Sequence, residues 1–554
     1  MPSLRAAIRK LFQLINLEKI EIQHIYIYAI ISGVIMLSLP LGIQAIINLM
    51  FGAVISTSLV VLIILVIMGT LFNGILQVKQ MRITERIQQR IFTRLTFEYT
   101  NRIPKLKLQS LDDYHLPELV NRFFDTVNLQ KGLSKLILDF PVASIQIVFG
   151  LILLAFYHPV FIAFGMLLSG LVYSIFYYTS PKGFSSSIRE SDYKYHVAHW
   201  LEEIGRSVKT FKFFQHNDLH LNKTDELVSG YLKARDEHFS VLVFQYRVMI
   251  AFKVLITGAM LIIGAVLFIN QQINLGQFIA AEIIIITIIN AVEKMIVSLE
   301  TVYDVLTSLE KINKILDKPQ DLDVERNLIT EIDKNKGLEI ELRDVSFGFQ
   351  PDKKILKNIN LTIKSGEKIC IRGEEGSGKT TLLRFLSGMW SDFEGNLLYN
   401  QIPFKNYNPD KIYEQTAFFL DEDELFSGTI IENITLKKEI SDYKKLKDVC
   451  DLVSLSDFLN NNSQGLDYHI DPQGKRLSSS IAKKILLARC FYKEPQLLLL
   501  EDGWLAIEKL NRERIIDFLT AKNQKFTLVL ISDEQILFDQ CDRVLTMKDG
   551  QILN

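Results

Sequence analysis

The chain has 554 residues, more than a single hydrophobic core can organise, so two or more domains are expected. Hydrophobic residues make up 48% of it, which argues against a wholly soluble enzyme and for a membrane portion. The formal net charge is −1, so no global field favours nucleic acid, and none is expected as a partner.

The four cysteines, Cys370, Cys450, Cys490 and Cys541, fall in the C-terminal part without metal-ligand spacing and read as reduced thiols. No cleavable signal peptide is expected, because the long apolar runs recur far downstream of the N-terminus. Residues 1–20 carry Leu4, Ile8, Leu11, Phe12 and Ile15 on one helical face, with Arg5, Arg9 and Lys10 off it. That pattern suits an amphipathic helix lying in the membrane interface.

Six apolar runs follow, near 25–47, 57–77, 137–157, 159–179, 249–269 and 277–297. Each approaches the roughly 20 residues a helix needs to cross hydrocarbon. The connections at 45–58, 157–159 and 269–277 are short and hold no Lys or Arg, whereas 78–136 and 180–248 are long and charged. Positive residues mark the cytoplasmic side, so both termini and both long segments are placed inside, with the lipid bilayer as the partner of residues 21–318. The long segments read as extensions of the membrane helices. Their tips, near Asp112 to Asp125 and Val208 to Phe214, are the parts able to touch a cytosolic domain.

Within the apolar runs stand Gln44, Asn48, Asn73, Gln146, Lys253, Glu282, Asn290 and Glu293. An unpaired charge at such depth costs on the order of 2.5–3.5 kcal/mol. Lys253 and Glu293 fall at similar depth, so they can pair or can each snorkel to the inner headgroups; Glu282 lies nearer the outside. Asn48, Asn73 and Glu282 are the candidates for lining a wet pathway.

Residues 319–337 form a polar linker. From Leu338 to Asn554 short strands give way to alternating helices and strands, an α/β domain with a parallel sheet. The fold class is therefore a multi-domain membrane protein, with an all-α six-helix transmembrane domain followed by an α/β P-loop nucleotide-binding domain.

The P-loop is Gly373-Glu374-Glu375-Gly376-Ser377-Gly378-Lys379-Thr380, which fits G-x-x-x-x-G-K-[ST]. A buried strand reading EKICIR precedes it, and a helix opening at Thr381 follows. The glycines let backbone N–H groups close around phosphate oxygens, Lys379 reaches the β- and γ-phosphates, and the Thr380 hydroxyl ligates Mg²⁺. This arrangement implies a bound nucleoside triphosphate.

Six spans with long extensions, then VSFGF…LKNINLTIKSGEK and the P-loop, resemble a half-size ABC exporter over nearly the whole chain. The resemblance implies ATP and Mg²⁺ as ligands. It also implies a dimer, homomeric or with a second half-transporter, that sandwiches nucleotide between one P-loop and the opposite signature segment. Phe349 falls where the family stacks an aromatic on adenine. LFSGTIIENI fixes the register that places Asp421 at the family's Mg²⁺-sensing glutamine.

The signature LSGGQ corresponds to Leu477-Ser478-Ser479-Ser480-Ile481, in which Ser478 keeps the ability to bond a γ-phosphate. Glu501-Asp502 stand where the family has Asp then Glu. Glu501 would hold Mg²⁺ and Asp502 would be the shortened base, while Asp533 replaces the switch histidine. These concurrent departures lead to an expectation of weak or absent hydrolysis, because a base withdrawn by about 1 Å loses about 10²-fold in rate. In a sandwich dimer both sites would be affected.

SLPLGIQAIINL and ERIQQRIFTRLTFEY are similar to membrane domains of type I secretion exporters, which favours a peptide or protein substrate over a lipid or small molecule and suggests a bacterial inner membrane. No cysteine precedes Cys370, so the N-terminal cysteine peptidase that some of these relatives carry is not expected.

Overall fold

The structure is a computed structural model that describes residues 4–50, 57–111, 116–214, 218–321, 332–333, 336–350, 353–437, 442–501 and 507–553. It divides into two compact units: Met1–Pro104 with Tyr114–Lys318, and Lys105–Asp113 with Pro319–Asn554.

The first unit is helical: α1 (Leu4–Leu17), α2 (Lys19–Met50), α3 (Thr57–Arg102), α4 (Leu116–Asn121), α5 (Asp125–Tyr157), α6 (Val160–Arg206), α7 (Val208–Phe213), α8 (Leu219–Ile269) and α9 (Leu275–Leu316). Six of the described helices are long and apolar enough to cross a membrane: α2, α3, α5, α6, α8 and α9. Helix α6 has 47 residues, about 70 Å at 1.5 Å per residue, and hydrocarbon takes up only about 30 Å of that. The surplus forms the extensions read from the charged segments.

Burial follows helical periodicity. On α3 the buried positions are Leu76, Gln80, Thr84, Ile87, Ile91, Leu95 and Tyr99, one stripe along a single face. The apolar positions before it, such as Val60, Ile64, Met68 and Leu71, are exposed on the helix and suited to lipid. Helix α9 lies in the core, where Ile284, Ile288 and Val292 meet Phe161, Phe164 and Leu168 of α6 and Met249, Phe252 and Ile256 of α8. It starts at a capping box between Asn274 and Gln277, which satisfies two of the backbone N–H groups left open at its end.

Several of the intramembrane polar groups have partners. Lys253 and Glu293 pair at 2.9 Å, and the Tyr246 hydroxyl reaches Glu293 at 3.4 Å, which decides between pairing and snorkelling. Asn73 accepts from the Ser32 hydroxyl, the Tyr157 hydroxyl donates to Gln44, and Asn48 packs on Gly276 at the start of α9. Glu282 is half-buried. Asn48 and Asn73 thus engage separate neighbours.

The second unit contains β1 (Ile340–Phe347), β2 (Leu356–Ile363), β3 (Lys368–Gly373), α10 (Lys379–Leu386), β4 (Glu394–Tyr399), β5 (Ile402–Pro403), α11 (Pro409–Gln415) and β6 (Thr416–Phe419). It continues with β7 (Gly428–Thr429), α12 (Ile430–Thr435), α13 (Tyr443–Leu452), α14 (Ser456–Asn461), β8 (His469–Ile470), α15 (Ser479–Tyr492) and β9 (Leu497–Leu500). The last elements are α16 (Lys509–Thr520), β10 (Thr527–Ile531), α17 (Gln535–Gln540), β11 (Arg543–Lys548) and β12 (Gln551–Leu553).

One sheet runs β2-β1-β4-β5 and is antiparallel; the other runs β12-β11-β3-β10-β9-β6 and is parallel except at β12. All four leucines of β9 are fully buried, because a central parallel strand is covered on both faces. The cluster holding Leu497, Leu499 and Val529 lies on one side of this sheet, and the one holding Leu498, Leu500 and Leu530 on the other.

The second unit also takes in a stretch from between the membrane helices. Leu106 is buried and bridges Gln320, Lys107 N–H donates to the Pro319 carbonyl at 3.1 Å, and Asp321 N–H donates to the Lys105 carbonyl at 3.0 Å. Gln109 donates to the Asp392 carbonyl at 3.0 Å. The described piece tied to this unit, 105–111, adjoins the tip read from the sequence at Asp112 to Asp125, of which residues 112–115 lie outside the described residues. The second tip, Val208 to Phe214, is α7 and its C-terminal cap, with Phe213 and Phe214 exposed.

Candidate functional site

In a parallel sheet the carboxyl ends of the strands form the binding edge. Here β3 runs into the P-loop, β6 into Asp421, β9 into Glu501 and β10 into Asp533. The register aligns Phe419 with Leu500, Leu500 with Leu530, and Ile531 with Ile371, so all four loops leave the same edge.

The P-loop backbone depends on its glycines. Gly373 has φ +152°, and a Cβ there would lie 2.3 Å from the Met547 carbonyl oxygen of β11. Gly378 has φ +97° and is the N-cap of α10, so the loop turns directly into a helix N-terminus. Glu374, Glu375 and Gly376 are exposed, and Thr381 is half-buried in the first turn. The Ser377 hydroxyl is buried without a hydrogen-bond partner among the described residues. Lys379 Nζ is folded back onto its own loop, donating to the carbonyls of Gly373 and Glu374 (2.9 Å to the latter).

Thr380 Oγ1 donates to Glu501 Oε1 at 2.5 Å, while Glu501 Oε2 accepts from Asp421 N–H at 3.3 Å. A hydroxyl and a carboxylate thus converge beside a helix N-terminus, an all-oxygen donor set of the kind Mg²⁺ takes. The Asp421 side chain turns elsewhere: its Oδ1 lies 2.9 Å from Lys483 Nζ on α15, which also donates to the Asp421 carbonyl. The adjacent Glu422 pairs with Arg384 of α10. Asp423 accepts from Leu420 N–H, and burial raises its carboxyl pKa.

Of the other residues singled out, Phe349 is exposed and stands edge-on to Trp390, with centroids 5.4 Å apart. Ser478 is the N-cap of α15 and accepts from Ile481 N–H at 3.3 Å. Asp533 is exposed just past β10. Asp502 lies outside the described residues. The structure therefore brings Lys379, Thr380, Glu501 and the backbone of Asp421 together and draws the Asp421 carboxylate to α15. Lys483 escaped the sequence reading; its signal is a lysine in the helix after the signature segment, matched by an acid in the loop after β6.

Fold and site together define a membrane domain of six spanning helices fused to a P-loop domain. Residues 24–292 match the ABC transporter transmembrane region and residues 356–503 match the ABC transporter domain. The chain belongs to the ABC transporters, as a half-size member with the exporter fold. It is 26% identical over 218 residues to the microcin-J25 export ATP-binding/permease protein McjD of Escherichia coli, covering 39% of this chain and 37% of that one. It is 24% identical over 281 residues to the lactococcin-G-processing and transport ATP-binding protein LagD of Lactococcus lactis, covering 50% and 39%. The matches thus span about two fifths of these relatives' length. A bacterial Atm1-family ABC exporter solved with ATP bound superposes with a TM-score of 0.83, covering 97% of this chain and 94% of that one at 15% identity, a likeness of fold.

Proposed function

We propose that this chain is one half of a dimeric, ATP-binding exporter that works mainly through nucleotide binding and turns ATP over slowly. The observation that carries the reading is the convergence of Lys379, Thr380 and Glu501 at the mouth of a strand–loop–helix, in one polypeptide with six helices able to span a bilayer. Gly376 and Gly378, both at positive φ, bend the loop so that its N–H groups would cradle phosphates, and Lys379 would exchange its two carbonyls for phosphate oxygens. Phe349 offers its face to adenine. Thr380 and Glu501 would hold Mg²⁺, which neutralises phosphate charge when bound.

Slow turnover rests on what replaces the hydrolytic groups. Asp502 is a shorter base, and Asp533 sets a carboxylate where the family's histidine meets the γ-phosphate. Ser479 and Ser480 put side chains where glycine admits a close phosphate. The second reading is a hydrolysis-deficient subunit that pairs with another half-transporter, and the Asp421–Lys483 pair favours it by engaging the loop after β6. The membrane similarity and relatives named for microcin J25 export and lactococcin G transport support a peptide or protein substrate. The proposed home is a bacterial inner membrane, with both termini and the nucleotide domain cytoplasmic.

Phosphate release by the purified chain in lipid, measured against Lys379→Ala, tests this. Low turnover above that background is expected, rising in Asp502→Glu/Asp533→His. An unchanged rate in the double variant would mean these two positions do not limit turnover.

A further inference from the structure

The loop after β6 reads Asp421-Glu422-Asp423-Glu424, four acids in succession. In the sequence reading, Asp421 stands at a cation-ligand position. Its carboxylate is instead held at 2.9 Å by Lys483, whose side chain is only 11% exposed. Lys483 lies over the Phe419 ring at 5.3 Å and also bonds the Asp421 carbonyl. No other carboxylate forms an ion pair with Lys483 among the described residues. Releasing Asp421 would leave a nearly buried ammonium with a carbonyl, a ring face and only the more distant charge of Asp423, a disfavoured arrangement. What Asp421 presents to the site is its N–H, and that N–H orients Glu501. Glu501 is one methylene longer than the family's aspartate and reaches Thr380 directly.

We infer that Lys483 is a positioning residue of the nucleotide site: it holds the Asp421 side chain against α15, so that Thr380 and Glu501 alone supply the protein's ligands to a divalent cation bound with nucleotide. The two departures from the family pattern, an acid at 421 and a lysine at 483, are thus one compensated change. The inference rests on the proposed binding of ATP at this P-loop.

The experiment uses the full chain in lipid nanodiscs and a fluorescent ATP analogue, mant-ATP, with affinity measured in Mg²⁺ and in EDTA. The ratio of the two affinities reports the cation ligands. Asp421→Asn is expected to leave the ratio within about twofold, whereas Glu501→Gln lowers it about tenfold or more, the scale of lost metal support. Lys483→Gln frees the Asp421 carboxylate to enter the cation shell and raises the ratio, and Lys483→Arg restores the wild-type value. A merely structural lysine would shift unfolding temperature but not this ratio. Should Lys483→Gln fail to fold, Asp421→Asn/Lys483→Gln removes both charges together and is expected to keep the wild-type ratio.

A drop in Asp421→Asn, or in that double variant, matching the drop in Glu501→Gln overturns the inference. So does an unchanged ratio in folded Lys483→Gln. A wild-type chain that binds mant-ATP no better than Lys379→Ala removes the functional reading and this inference with it; binding with a cation-sensitive Asp421 removes the inference alone.

Discussion

Replacing Lys253 by methionine tests the membrane architecture. Lys253 lies about 24 Å from the Ile269 end of α8 and Glu293 about 27 Å from the Leu275 end of α9, at 1.5 Å per residue. In hydrocarbon about 30 Å thick, the pair sits in the leaflet away from the α8–α9 turn, close to its boundary. A charge at the midplane costs roughly 2.5–3.5 kcal/mol, and the cost falls toward the interface. Glu293 would keep the Tyr246 hydroxyl at 3.4 Å after losing its cation. The expected loss in Lys253→Met is therefore about 1–2 kcal/mol, or a fall in Tm of about 2–4 °C for a unit of this size.

Thermal unfolding in nanodiscs, followed by intrinsic fluorescence, measures it. Lys253→Met/Glu293→Gln should recover to within about 1 °C of wild type, because no charge is then left unpaired. Raising the salt should change little, since a pair in hydrocarbon is poorly screened. Losses that simply add in the double variant, or a silent Lys253→Met, would refute the pairing and return both side chains to the headgroups.

Two further outcomes are expected. Gly373→Ala should cost about 1–3 kcal/mol of strain and weaken mant-ATP binding about tenfold, because its Cβ would meet the Met547 carbonyl oxygen at 2.3 Å. Asp321 has its carboxyl pKa pushed up to about 6 by burial first and by Asp410, against the pull of Lys107 and a Tyr413 hydrogen bond. Its contribution to stability is fully present below the ordinary aspartate value of 3.8 and is lost as pH rises through about 6. Asp321→Asn should therefore unfold at a higher temperature than wild type at pH 7, by a smaller margin near pH 5, and at the same temperature near pH 3, below both pKa values; a gap independent of pH would contradict this.

The spans and the P-loop were legible because each is written in contiguous residues: a run long enough for hydrocarbon, or eight positions between a strand and a helix. The pairing of Lys253 with Glu293 was half legible, since depth can be counted along a helix but facing cannot. The Asp421–Lys483 pair was legible only as an acid and a lysine in separate segments, not as a pair. Its members are far apart in sequence, and a lysine in a helix ordinarily reads as solvated until the loop packed against it is known. Likewise 105–111 read as a continuation of a membrane helix. Its place beside Pro319 and Asp321 depends on backbone bonds that no side-chain pattern announces. Asp533 was placed by motif alone, and its exposure just past β10 belongs to the loop.

Trp390 is buried, stacked on Phe347 with centroids 4.4 Å apart and edge-on to Phe349. The chain has three tryptophans, and of these Trp200 belongs to the helical unit, on α6. An adenine laid on the exposed ring of Phe349 would sit one aromatic group from an indole, close enough to alter its emission. With ATP bound as proposed, Trp390 would give the nucleotide domain its own optical gauge of occupancy, readable without attaching a dye.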